Sequence, residues 1–417
     1  MFIRLAWHSL LSRKGSVVLT FLAISVSIFV LLGIEHIRQQ AKFSFSNTVS
    51  GVDLIVGART GDINLLLYAV FQLGNATNNI AWASYREVAE KQEVAWTIPL
   101  SLGDSHKGYR VMGTTSDYFK YFRYGQIQAL RFTQGKAFAS VFDVVLGADV
   151  ARKLNYQLDD HLVLAHGVAS TSFSQHDDKP FRVVGILKPT GTPVDQTVHV
   201  SLRGIEAIHI DWQNGVKTPG HAIAPDDVEH YDLTPKTITA FMVGLKSKMA
   251  TFRVQRAINN YQPEPLLAIL PGVTLTQLWQ MMAIMENTLM LVSALVLLAS
   301  LLGLSAMLLT SIRERQREIA IMRSLGASPS FLFLLIQTEA LLITLASSVF
   351  ALSLLFICLL SLRGFLTDNF NLSISANVFD KNIMYLLLVI VVSAMVTSLI
   401  PAISAYSTAL QKRLNNG

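Results

Sequence analysis

Two membrane-length apolar stretches with a short, strongly charged segment between them leave this chain few ways to fold. Thr288 to Thr310 carries no charge, and Phe331 to Leu362 carries only Glu339. Between them runs Ser311–Ser328, with arginines at 313, 315, 317 and 323. An α-helix rises about 1.5 Å per residue, so roughly 20 apolar residues cross a hydrocarbon layer ~30 Å thick. Backbone polar groups in that layer find no water, so both stretches are expected to be helices, with the charged connector at a membrane surface.

Two further stretches have the same character. Ser16 to Ile34 is uncharged, follows a basic amphipathic opening (Met1–Lys14) and runs into Glu35 without a small-residue cleavage site. It reads as a retained spanning helix, with the opening segment lying in the interface. Ile383 to Ala405 is the fourth span, and Pro401 near its end predicts a kink. The third run is longer than one span needs, so it tilts or projects from the bilayer. Ser300, Gly303 and Ala306–Met307 in the second run are spaced for close approach of another helix.

The rest of the chain is of a different kind. Hydrophobic residues make up 51% of the 417 residues and charged ones 15%, too apolar for an ordinary soluble protein and too polar for a bundle of spans alone. Between Glu35 and Met285 lie strand-like runs at 53–56, 94–100, 109–112, 144–146, 181–187, 197–200 and 238–245. Helix-like segments at 84–92, 148–154 and 251–261 alternate with them, and 213–235 reads as a long surface loop. The expected fold class is an α+β membrane protein. Four transmembrane helices, one and then three, flank a large extracytoplasmic mixed α/β domain. The expected boundaries are an interfacial helix at 1–15, spans at 16–34, 287–310, 331–362 and 383–406, and the outer domain at 35–285. That domain allows a second, less regular subdomain around 60–140. The connector is 311–328, a short outer loop 363–382 and a tail 407–417.

Charge orients this arrangement. The region 35–286 holds 23 basic and 23 acidic side chains, and 363–381 holds two of each. The net excess of +6 therefore sits at Arg4, Arg13, Lys14, the connector, Lys412 and Arg413, all flanking apolar runs. This positive-inside pattern puts both termini and the connector in the cytoplasm and the large domain outside. It also removes nucleic acid as a partner, since the soluble part has no basic patch.

Catalytic motifs are missing. No GxxxxGK[ST] occurs; Gly103–Gly108 has the spacing, but Tyr109 follows it where lysine is needed. HExxH and GxSxG are also absent. The single cysteine, Cys358, permits no intrachain disulfide. His106, His161, His166, His176, His199, His209, His221 and His230 are scattered through the outer domain without close metal-ligand spacing, so no metal is expected. Glu339, an acid inside a span, is expected to reach the interface or pair with a basic residue there. The connector does more than anchor topology. Its composition is helix-forming from Arg313 to Leu325, it stops at Gly326, and it carries an apolar face of Ile319, Ala320, Met322 and Leu325. Such a face suits a helix that inserts into a partner's groove.

At these residues the chain resembles the permease subunits of MacB-type ABC transporters, the type VII group that includes LolC/LolE and FtsX. The resemblance lies in Leu5–Lys14 with Leu19–Ser25, in Phe181–Leu187, in Arg317–Ser328 and in Pro401–Tyr406. It implies a non-catalytic subunit with no cofactor of its own, in a bacterial inner membrane, working as a homodimer or pseudodimer. ATP and Mg would be bound by a separate cytoplasmic ATPase dimer, and a periplasmic adaptor or lipoprotein is a further partner. The connector would be the coupling helix, with Arg317, Glu318, Ile319, Ala320, Met322, Arg323, Leu325, Gly326 and Ala327 docking the ATPase. Arg313 and Arg315 are left as membrane-surface anchors. ATP-driven closure would move the outer domains, for export or for release of a periplasmic or membrane-associated substrate. The alternative is an FtsX-like transducer acting on a cell-wall hydrolase. Glu339, after Gln337–Thr338, matches a glutamate of this family. The usual glycines of the third span are replaced by Ala346, Ser347, Ser348 and Ala351.

Overall fold

The structure is a computed structural model. It describes the chain apart from residues 1, 47, 49, 168–176, 214–215, 218–223, 226, 315, 325, 371–379 and 415–417. Side chains at 2–4, 44, 46, 166, 212–213, 216–217, 316–317, 319, 323, 363–370 and 408–414 are also outside the described set. The chain divides into two units. One holds Met1–Ala41, Ala283–Phe370 and the chain from Lys381 on; the other holds Lys42–Met282.

In chain order, α1 (Phe2–Leu11) and α2 (Lys14–Ser46) precede β1 (Leu54–Ala58), α3 (Trp82–Ala89), β2 (Val94–His106) and β3 (Tyr109–Thr114). Then come β4 (Phe132–Gly135), β5 (Asp143–Leu146), α4 (Ala148–Leu154), β6 (Phe181–Leu187), β7 (Thr197–Ser201) and α5 (Leu202–His209). β8 (Ala240–Leu245), α6 (Thr251–Asn259) and β9 (Leu266–Ile269) complete the outer unit's main elements. α7 (Pro271–Glu314), α8 (Gln316–Ser324), α9 (Pro329–Phe370), α10 (Lys381–Thr397) and α11 (Leu399–Leu414) follow.

Among the described residues the outer unit is built on one eleven-stranded mixed sheet, with main path β9-β1-β8-β2-β3-β7-β5-β6-β4. β1 is a continuous apolar strand because both its faces are covered. Successive side chains of a strand point to opposite faces. Leu54 and Val56 therefore pack with Tyr85 and Val88 of α3 and Val254 and Ile258 of α6. Ile55 faces the other way, into a cluster with Leu65, Leu66 and Phe71. A third cluster joins Val144, Leu146, Val183, Val198 and Val200 to Val150 of α4 and Ile205 and Ile208 of α5.

The two halves of the sheet meet at β2, which is longer than the strand expected at 94–100. Residues 94–100 pair with β8, and 101–106 pair with β3 across a register shift between Leu102 and Ser105. Gly103 and Asp104 lie in that shift without a β3 partner, and Ser105 and His106 resume the ladder opposite Arg110 and Tyr109. One half of the sheet is thus sewn from 54–100 and 240–269, the other from 101–201. Within the expected 213–235 loop, Trp212–Gln213 pairs with Val216–Lys217, and Val228 is buried in a short 3₁₀ turn.

Among the described residues, four helical segments are long and apolar enough to cross a membrane: Lys14–Phe43, Pro271–Glu314, Pro329–Leu362 and Lys381–Ser407. The last is broken at Ser398, between α10 and α11. Pro401 has no N–H, so the carbonyl of Thr397, four residues earlier, loses its helical donor. The hydroxyl of Ser305, on α7, donates to it at 2.8 Å. Ser27 on α2 and Ser300 on α7 share a 2.7 Å hydrogen bond. Gly303 makes no such approach, since a Cβ built there meets nothing within 4 Å.

Candidate coupling site

The described residues on both sides of position 315 in the connector are helical, and position 315 itself lies outside the described residues. α7 continues through Arg313 to Glu314, and α8 begins at Gln316. Both ends of the next junction are built from local chemistry. Gly326 takes a left-handed φ of 96°, and the N–H of Ala327 donates to the carbonyl of Met322 at 3.0 Å. That six-to-one bond is the Schellman stop, and glycine is the residue that enters its left-handed position without a Cβ penalty. Ser328 then caps α9: its hydroxyl accepts from the N–H of Phe331 at 3.3 Å, with Pro329 at the first helical position, where no donor is missed.

Glu318, Ala320, Ile321 and Ser324 of α8 are exposed, Ile321 by 60%. Met322 and Ala327 are half-buried and Gly326 is exposed. The side chains of Arg317, Ile319 and Arg323, and residue Leu325 altogether, lie outside the described residues. Ile321 was not among the expected docking residues. Its signal was present: it stands three residues after Glu318 and three before Ser324, a spacing that shares one helix face.

Ten residues into α9, Glu339 is 2% exposed. One carboxylate oxygen accepts a hydrogen bond from the hydroxyl of Ser9, and the other lies 3.5 Å from Nη2 of Arg13. The same Nη2 donates to the Ser9 oxygen at 3.1 Å. This cluster ties α1 and the turn after it to α9. Two residues before Glu339, the oxygen of Gln337 accepts from the hydroxyl of Ser398 at 2.9 Å. The helices before and after the connector thus both bond to the break in the last span, α7 through Ser305 to Thr397 and α9 through Gln337 to Ser398. Sequence reasoning singled out Glu339 and Pro401 but none of these partners.

Two family models match the chain: "MacB-like periplasmic core domain" over residues 17–261 and "FtsX-like permease C-terminal" over residues 290–410. The chain belongs to the MacB/FtsX-type ABC permease family. The structure of the periplasmic region of MacB from Actinobacillus actinomycetemcomitans is similar at 9% identity and TM-score 0.34, over 55% of this permease and 94% of that chain. The extracellular domain of the noncanonic ABC-type transporter YknZ from Gram-positive bacteria is similar at 12% identity and TM-score 0.29, over 52% and 98%. No curated protein matches.

In the permease's outer domain the described residues contain no group of three or more His, Cys, Asp or Glu side chains placed to hold a metal. His176 and His221 lie outside the described residues. His199 is fully buried against Tyr118 and Phe119. Its Nδ1 is 3.3 Å from the Val145 carbonyl and its Nε2 has no partner. Burial pushes its pKa down to about 4. His106 is also held below its ordinary value by burial, between the Val163 carbonyl and the Tyr156 hydroxyl. The buried ion pair Lys179–Asp211, at 2.6 Å, joins the chain before β6 to the end of α5's loop. These groups hold the fold.

Proposed function

We propose that this chain is the membrane subunit of a transporter that couples ATP hydrolysis on a separate cytoplasmic ATPase pair to movement of its extracytoplasmic domain. It works as a dimer of permeases in a bacterial inner membrane, with both termini and α8 in the cytoplasm. ATP and Mg belong to the partner. The output is export, or release, of a periplasmic or membrane-associated substrate, and an extracytoplasmic adaptor or lipoprotein completes the assembly.

One observation carries this reading. α8 is helical through Ser324, is stopped by Gly326 and followed by the capped start of α9, and presents Glu318, Ala320 and Ile321 outward. The helices on either side of it both grip the broken last span. A partner that seats α8 and then moves therefore pulls on α7 and α9 together. Arg317, Glu318, Ile319, Ala320, Ile321, Met322, Arg323, Leu325, Gly326 and Ala327 form the proposed docking segment.

The test is ATP hydrolysis by the reconstituted permease–ATPase complex. Glu318→Arg with Arg323→Glu, Ala320→Pro, and Ile321→Asp are each expected to abolish permease-stimulated hydrolysis while membrane insertion stays normal. Stimulation at the wild-type level in all three sinks the docking role.

A further inference from the structure

Beside the Glu339 cluster, α1, the first turns of α2 and the middle of α9 enclose an elongated groove of about 730 Å³. Its walls are apolar, with Leu10, Val17 and Val18 on one side and Leu342, Ala346 and Val349 on the other. Phe21 and Phe350 narrow its far end, their ring centroids 5.4 Å apart. The α9 wall runs from residue 342 to 353, about 16 Å at the helical rise. That is about half of a ~30 Å hydrocarbon core, the depth of one leaflet.

One cation stands at the near end. Lys14 lines it, is exposed, and has no acidic partner among the described residues. The neighbouring Arg13 is turned inward onto Glu339 and is unavailable. Trp7, 55% exposed, stands at the same end, and tryptophan settles at the level of lipid headgroups.

We propose that this groove binds one anionic phospholipid, its phosphate ion-paired with Lys14 and one acyl chain lying along α9. The single-leaflet length and the cation at one end match that ligand. A spanning helix of a second copy needs an apolar seam through the whole membrane. The proposed orientation of the chain decides only which leaflet supplies the lipid; the chemistry does not depend on it.

Native mass spectrometry of the full chain in neutral detergent, with equimolar phosphatidylglycerol and phosphatidylcholine, tests this. One phosphatidylglycerol per chain is expected, retained about fivefold over phosphatidylcholine for the one cation. Lys14→Gln, at an exposed position, should erase the preference while leaving an acyl adduct. Ala346→Trp, which fills the groove, should remove both lipids. Equal retention of the two lipids by the wild-type chain overturns the proposal, as does a preference that survives both substitutions. A homodimer that Ala346→Trp splits into monomers also overturns it and gives the groove to a second copy. The wild-type competition decides the charge preference even if a variant misfolds. No ATPase is present in the measurement, so its outcome is separate from that of the docking test.

Discussion

Replacing Glu339 by leucine strips the counter-ion from Arg13 while leaving that guanidinium inside. The side chains of Arg13 and Glu339 are 12% and 3% exposed, and Nε and Nη1 of Arg13 already lack partners. Removing one member of such a buried pair costs about 3–5 kcal/mol, because the remaining charge is uncompensated. The lost Ser9 hydrogen bond adds about 1 kcal/mol. Arg13→Met combined with Glu339→Leu should behave in the opposite way. The pair is incompletely satisfied, so its apolar replacement is expected at or above wild-type stability, with the Ser9 hydroxyl free to turn back to its own helix. Trp7 in α1 reports the docking directly. A chain whose other tryptophans are phenylalanine can be unfolded with denaturant in detergent and followed by Trp7 fluorescence. The double-mutant cycle then isolates the pair. A Glu339→Leu loss under about 1 kcal/mol, or a double variant as unstable as the two singles summed, would refute this account of the cluster.

Three other outcomes follow from buried polar groups. Lys179→Met leaves Asp211 charged at 0% exposure with one oxygen already unpartnered, and is expected to cost about 3–5 kcal/mol of outer-domain stability; a thermal scan with no shift contradicts it. His199 is held to about 4 against 6.5 for the free group. The unfolded chain therefore binds the proton first as the pH falls, and stability that is full above about pH 6.5 is lost toward pH 4, by about 3 kcal/mol. His199→Phe keeps the packing on Tyr118 and Phe119 and should flatten that part of the acid profile; an acid midpoint identical to wild type tells against it. Ser305→Ala orphans the Thr397 carbonyl at the Pro401 break and is expected to destabilise the last span by about 1–3 kcal/mol, read as a lower unfolding midpoint in detergent. Wild-type stability there shows that another donor serves that carbonyl.

Hydropathy and charge alone settled the order of one span, outer domain and three spans, because each run is long enough to be read without its neighbours. Local chemistry also marked the Gly326 stop, the Pro401 kink and the strand 181–187, each set by residues within a few positions. What the tertiary structure decided is who meets whom. Ser9 and Arg13 meet Glu339 across more than 320 positions, Ser305 meets Thr397 across 92, and Gln337 meets Ser398 across 61. Ser105–His106 is strand because β3 lies beside it, and His199 is buried because Tyr118 and Phe119 cover it. A serine, a glutamine or a histidine carries no local mark of burial. Its partner is chosen by packing, and packing is a property of the whole fold.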